Sequence, residues 1–215
     1  MSPAPTTVIS DFGGVLTTPL IGSFAKVQDR TGISPASLGR AMQSIAEADG
    51  AHPLYELEKG MVSEVDFLNR LAEVLEPELG HFPELHQFSE IYFSALEPNE
   101  PMIELMREIK RDGRRMALLT NNVREWEPLW RAMLPVDEIF ELVVDSAFVG
   151  MRKPDPAIYE LTLERLGSGV SAQECLFIDD LEVNIEAARH LGMQAVHFVD
   201  TEQATAEIRA VLELD

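Results

Sequence analysis

The sequence predicts an α/β protein, a parallel sheet covered by helices on both faces, with a block of helices inserted after the first strand. Three observations predict it. From Pro101 onward, segments of helical period alternate with short apolar runs, as parallel strands joined by crossover helices require. Near the start, Val8-Ile9-Ser10-Asp11-Phe12-Gly13-Gly14 reads as a buried strand whose end turns sharply at two glycines. Between these regions the pattern is helical throughout, so one strand precedes the block and four follow it.

The elements follow in order. Ile21, Phe24 and Val27 give the first amphipathic face, ended by Gly32. Ser34-Pro35 reads as an N-cap with proline at the first helical position, leading into Leu38, Met42 and Ile45. Ser63 with Asp66 is a capping-box variant opening a helix with Phe67, Leu68, Leu71, Ala72 and Leu75 on its apolar face. A helix is expected near Glu84 to Leu96, and Pro98-Asn99-Glu100-Pro101 is a linker. Met102, Leu105, Met106 and Ile109 form a helix face stopping at Asp112-Gly113. Strands are expected at Arg115–Thr120, Leu142–Asp145, Glu174–Asp179 and Gln194–Val199. Helices are expected at Ala157–Leu166, Asn184–Leu191 and about Thr201–Leu212, with Ser171 opening a turn.

Composition narrows the function. At 215 residues with 46% hydrophobic content, the chain can bury a sizeable core. Its 37 acidic and 17 basic residues give a formal charge of −20, a field that repels nucleic acid and anionic membranes. An anionic substrate must therefore be held by a few local cations or a metal. Cys175, the single cysteine, lies in an apolar run and reads as a small core hydrophobe; it excludes an internal disulfide and fits a reducing compartment. The segment Met1–Thr7 has neither a basic nor an apolar signal region, and no apolar run is long enough for a bilayer span, so the cytoplasm is the expected location.

Chemistry concentrates at strand ends: Asp11, then Thr120-Asn121-Asn122, then Asp179-Asp180. In a parallel sheet these emerge along one edge, where ligands of open α/β sheets collect. Lys153 lies in a loop with two prolines, Gly150-Met151-Arg152-Lys153-Pro154-Asp155-Pro156. Each has a structural explanation alone, as turn, cap or solvated side chain. Their joint placement favours a site.

Asp11-Phe12-Gly13-Gly14-Val15-Leu16, Leu119-Thr120-Asn121, Gly150-Met151-Arg152-Lys153-Pro154 with Ile158-Tyr159, and Phe177-Ile178-Asp179-Asp180 with Asn184 resemble, in order, the four motifs of the haloacid dehalogenase superfamily of aspartate-nucleophile hydrolases. The third and fourth most resemble the branch containing bacterial α-glucose-1-phosphatase and the N-terminal phosphatase domain of soluble epoxide hydrolase. The resemblance implies a Rossmann-like five-stranded core with strand order 5-4-1-2-3, formed by residues 1–17 and 99–215, and a helical cap at 18–98. It implies a magnesium-dependent phosphatase for a small phosphorylated metabolite of the sugar-phosphate class, working through an aspartyl-phosphate on Asp11. Thr120, Asn121 through its backbone N–H, and Lys153 would hold the phosphoryl group, with Asp11, Thr120 and Lys153 as the catalytic set. Asp11, the Gly13 carbonyl and Asp180 would hold Mg²⁺, with Asp179 and Asn184 supporting that loop. A monomer or homodimer that binds neither nucleic acid nor membrane is expected.

One departure bears on mechanism. Most phosphatases of this superfamily carry a second Asp two residues after the nucleophile, where this chain has Gly13. Metal binding by the backbone carbonyl survives; general acid–base assistance, worth typically ~10²–10⁴-fold, does not. Two rivals follow from it: a 2-haloacid dehalogenase, which needs no such acid, and a catalytically retired module of the same fold. The Asp179-Asp180 pair argues for a metal and against the first, and the intact Asp11, Thr120, Lys153 and Asp180 set argues against the second. Trp126 and Trp130 read as packing, Arg124 and Arg152 as solvated or ion-paired, and His52, Tyr55 and Thr18 as possible substrate contacts from the cap.

Overall fold

A computed structural model describes residues 4–214; Met1–Pro3, part of the segment searched for a signal, and Asp215 lie outside the described residues. The chain runs β1 (Thr7–Ser10), α1 (Ile21–Thr31), α2 (Pro35–Asp49), α3 (Pro53–Glu58), α4 (Glu64–Leu79), α5 (Phe88–Phe93), α6 (Glu100–Arg111) and β2 (Arg115–Thr120). It continues through α7 (Glu127–Arg131), α8 (Val136–Ile139), β3 (Leu142–Asp145), α9 (Ser146–Val149), α10 (Pro156–Leu166), β4 (Cys175–Asp179), α11 (Glu182–His190), β5 (Gln194–His197) and α12 (Thr201–Leu212).

All five strands are parallel in the order β3-β2-β1-β4-β5, which is the expected 5-4-1-2-3 read from the other edge. Side chains alternate between two cores. Val8, Leu118, Leu176 and Ile178 meet α6 and α12, while Ile9, Ala117, Leu119 and Phe177 meet α10 and α11. Burial of both faces explains why these strands read as continuous apolar runs. Cys175 is buried in the second core, its thiol pushed up to about 12 by burial, as a packing residue would be.

Between β1 and β2 the helices α1–α5 gather a third core of Val27, Leu38, Ile45, Leu57, Leu71 and Leu75. Ser34 and Ser63 cap α2 and α4 by accepting from the N–H of Ser37 and Asp66. The chain enters and leaves this block side by side. Thr17 bridges Pro98, Thr18 N–H donates to Glu97 O at 2.8 Å, and Asn99 N–H donates to Leu16 O at 2.9 Å. The helix expected over Glu84–Leu96 is confined to Phe88–Phe93, and α3, opened by Pro53, is an additional short helix. Among the described residues, no helix is long and apolar enough to cross a membrane.

Candidate active site

β1 ends one residue before Asp11, whose N–H continues the ladder by donating to Ile178 O at 2.8 Å. The chain then turns: Leu16 N–H donates to Phe12 O, and Gly14 N–H to Thr17 Oγ1. Gly14 is there for two reasons. Its φ is +77°, and a β-carbon would overlap Asp180 Oδ2. Gly13 differs: its φ lies outside the left-handed region and a β-carbon would rest 3.4 Å from Leu20 Cδ2, an ordinary contact.

The expected residues converge. Lys153, 1% exposed, lies 2.8 Å from Asp11 Oδ1 and donates to Asp179 Oδ2 at 2.6 Å. Asp11 Oδ1 also accepts Phe12 N–H at 2.7 Å, and Oδ2 accepts no hydrogen bond from the described residues. Asp179 has no spare oxygen: Oδ1 accepts from Leu181 N–H and Asn184 Nδ2, both at 2.9 Å, and Oδ2 faces Lys153. Asn184 O in turn accepts from Tyr159 OH at 3.1 Å. Thr120, at the end of β2, is buried and lines the same cavity, and its hydroxyl makes no hydrogen bond to the described chain.

Charge is unbalanced here. Asp11, Asp179 and Asp180 each place an oxygen within 4.8 Å of the others, with one ammonium among them. Burial pushes the Asp11 carboxyl up to about 8 against the pull of Lys153, with Asp179 and Asp180 adding to the rise. Asp180 is also raised, by burial and by Asp179. Burial alone would lower the Lys153 ammonium, but Asp11 and Asp179 outweigh it and keep it charged. An oxygen-rich cluster of this sign suits a hard divalent cation.

Asn121 does more than its sequence position suggests. Its side chain accepts Lys153 N–H at 2.8 Å and donates to Lys153 O at 3.0 Å, fixing the lysine's backbone. Arg152 is ion-paired: Nε lies 2.6 Å from Glu58 Oε2, and the guanidinium sits 4.0 Å over the Tyr55 ring. Ser146 Oγ donates to Glu58 O at 2.5 Å, a second tie between α3 and the core.

Above these groups lies a cavity of about 300 Å³ that runs from Asp11, Thr120 and Lys153 into α1–α5. Trp126, expected as packing, is one of its walls, and its Nε1 donates to Glu64 Oε1 at 2.7 Å. Trp130 is fully buried, as expected. His52, Tyr55 and Thr18 do not line the cavity: His52 stacks on Tyr55 with ring centroids 4.3 Å apart, and Thr18 is taken up in the crossing beside Glu97. For His52 and Tyr55, which side of α3 faces inward is set by packing and not by spacing; Thr18 lies outside the helices and is fixed by the crossing.

A parallel sheet that delivers a lysine-paired aspartate into a cavity roofed by helices inserted after its first strand defines an α/β protein of the Rossmann-like class with a buried carboxylate–ammonium site. The chain belongs to the haloacid dehalogenase-like hydrolase family, which it matches over residues 5–192. It is 29% identical over 95% of its length to mouse acyl-CoA dehydrogenase family member 10, and 26% identical over 94% to pig bifunctional epoxide hydrolase 2, spanning 19% and 38% of those longer proteins. A Mycobacterium tuberculosis phosphatase is 34% identical over 66% of this chain and 64% of its own. In fold, a Bacteroides thetaiotaomicron enzyme of the family, solved as a magnesium complex, superposes with a TM-score of 0.68 at 23% identity, covering 91% of this chain and 93% of that one.

Proposed function

We propose that the chain is a magnesium-dependent phosphatase that passes a phosphoryl group from a small phosphorylated metabolite to Asp11 and then to water. The observation that carries this reading is the Asp11–Lys153 pair at 2.8 Å on the floor of a cavity, beside two more carboxylates. The phosphatase relative points the same way. Residues 18–98 act as a cap over the core formed by 1–17 and 99–215.

The excess of carboxylates over ammonium supports a cation, and the hydrogen bonds favour Asp180 over Asp179 as its ligand. Asp179 is engaged by Lys153, Leu181 and Asn184, so Asp180 rather than Asp179 would join Asp11 and the Gly13 carbonyl in holding Mg²⁺, with Asp179 and Asn184 fixing the loop. When bound, the ion supplies charge neutralisation for the phosphoryl oxygens. Lys153 holds Asp11 Oδ1 in place, leaving Oδ2 as the attacking atom. Oδ2 bonds to phosphorus while the ester P–O bond breaks, and its electron pair leaves on the alcohol oxygen. Gly13 has no proton to give, so the leaving oxygen takes one from water. Water then attacks phosphorus, the phosphorus–Oδ2 bond breaks, and the Asp11 carboxylate and inorganic phosphate return. Thr120 Oγ1 and Asn121 N–H donate to the phosphoryl oxygens.

Phosphate release from p-nitrophenyl phosphate, with magnesium and with chelator, tests this in wild type and Asp11→Asn. Magnesium-dependent release that disappears in Asp11→Asn is expected. Metal-independent halide release from a 2-haloacid, or no turnover of any ester, would overturn it.

A further inference from the structure

We propose that the group esterified to the phosphate is apolar, so that the site takes the monophosphate of a hydrophobic alcohol or phenol of roughly eight carbons and not a sugar phosphate. This rests on the phosphatase reading and concerns what fills the cavity beyond the phosphoryl group.

The cavity has two chemically different ends. Asp11, Thr120, Lys153 and Asp180 form one, and the buried side chains of Leu38, Phe67, Leu71 and Phe88, with the half-buried Trp126, form the other. Packed interiors keep few voids larger than a water, so about 300 Å³ between the strand ends and the helical block is a built space. It holds roughly ten groups each near the volume of a water, and the phosphoryl group takes about two of those places, leaving about eight for carbon.

A sugar would find few partners there. Among the cavity-lining residues of the helical block, Glu58 and Tyr92 alone carry a polar side chain. Glu58 is already spent on Arg152 at 2.6 Å. The Trp126 N–H is spent on Glu64, leaving its ring as wall. Each sugar hydroxyl buried without a partner would lower affinity by about tenfold. A methylene buried in the same place would raise it about two- to fourfold.

The cation inventory limits the other end to one phosphoryl group. Lys153 is held by Asp11 and Asp179, and Arg152 is neutralised by Glu58 and covered by Tyr55. Neither is left over for a second phosphate, so a diphosphate would enter with uncompensated charge.

The test compares kcat/KM, with magnesium, for n-butyl, n-hexyl and n-decyl phosphate, n-decyl diphosphate, glucose 6-phosphate and p-nitrophenyl phosphate. We expect kcat/KM to rise about two- to fourfold per methylene up to about eight carbons and to level off by decyl. Glucose 6-phosphate should fall at least ~100-fold below decyl phosphate, and the diphosphate at least ~10-fold below it. Leu71→Gln, checked for folding by its melting curve, should flatten the chain-length slope. A flat series in wild type, or glucose 6-phosphate equal to decyl phosphate, overturns the proposal. Failure to turn over p-nitrophenyl phosphate overturns the phosphatase reading instead. Calorimetry with n-decylphosphonate against methylphosphonate then decides the cavity: tighter binding of the decyl compound supports an apolar occupant, and equal binding rejects it.

Discussion

Asn121 and Lys153 exchange two hydrogen bonds across 32 residues of sequence, Lys153 N–H to Asn121 Oδ1 at 2.8 Å and Asn121 Nδ2 to Lys153 O at 3.0 Å. The residue after β2 thus sets where the ammonium stands. Asn121→Ala keeps the backbone N–H that we propose meets the phosphoryl group and removes only the clamp. We expect kcat/KM for p-nitrophenyl phosphate to fall about tenfold or more, with the magnesium concentration for half-activity unchanged. Unchanged turnover would show that the proline-bounded loop holds Lys153 without help.

The two glycines after Phe12 should respond in opposite ways. Gly14→Ala forces a positive φ on alanine and drives a β-carbon into Asp180 Oδ2, so magnesium affinity should drop by at least about tenfold. Gly13→Asp meets only Leu20 at 3.4 Å and should fold and bind magnesium normally. It should also raise turnover of alkyl phosphates, whose leaving oxygen needs a proton, by about tenfold or more. Equal metal affinities in the two variants would contradict this placement of Asp180.

Much of this was legible in the chain. Arg115–Thr120 and Leu142–Asp145 end where apolar runs meet polar or glycine residues, and a parallel sheet then sends Asp11, Thr120 and Asp179 to one edge. What escaped was set by tertiary packing. α3 spans six residues, too few to display a helical period, and α5 is equally short, with residues 84–87 and 94–96 outside it in turns and irregular chain. Trp126 has the spacing of a core residue, and only the gap above Lys153 turns it into a cavity wall. The Asn121 side chain reads as a cap or a substrate contact until Lys153 is brought beside it.

Asp145 makes part of the stability pH-dependent. It ends β3, its Oδ1 accepts Ala147 N–H at 3.0 Å, and its Oδ2 is buried without a partner. Burial pushes its carboxyl from 3.8 up to about 6, opposed by the Ala147 N–H, while Glu127 repels it and Arg131 and Arg124 attract it. The folded state therefore binds a proton that the unfolded chain releases. This stabilisation is complete below pH 3.8 and is lost as pH rises through about 6. Asp145→Asn should abolish that slope and gain about 1–2 kcal/mol over wild type at pH 7.5. Urea melts of both proteins at pH 5 and 7.5 measure it, and parallel pH dependence would refute the assignment.

Removing Lys153 should expose the cation's share in holding the site together. The ammonium is the charge partner of both Asp11 and Asp179, at 2.8 and 2.6 Å, with both carboxylates buried. Lys153→Met replaces it by a neutral chain of similar length and leaves three carboxyl groups facing one another. In chelator this should cost about 3–5 kcal/mol, the penalty of stranding buried charge. Magnesium then binds a cluster of greater negative charge, and binding to the folded state alone adds stability as ligand concentration exceeds Kd. The stabilisation by magnesium, read as the shift of the urea midpoint, should be larger in Lys153→Met than in wild type, although turnover is lost. Asp180→Asn in the same background should reduce that shift. If magnesium stabilises all three proteins equally, its binding site lies away from Asp11 and Asp180, and the charge balance of the cluster must be met by protons instead.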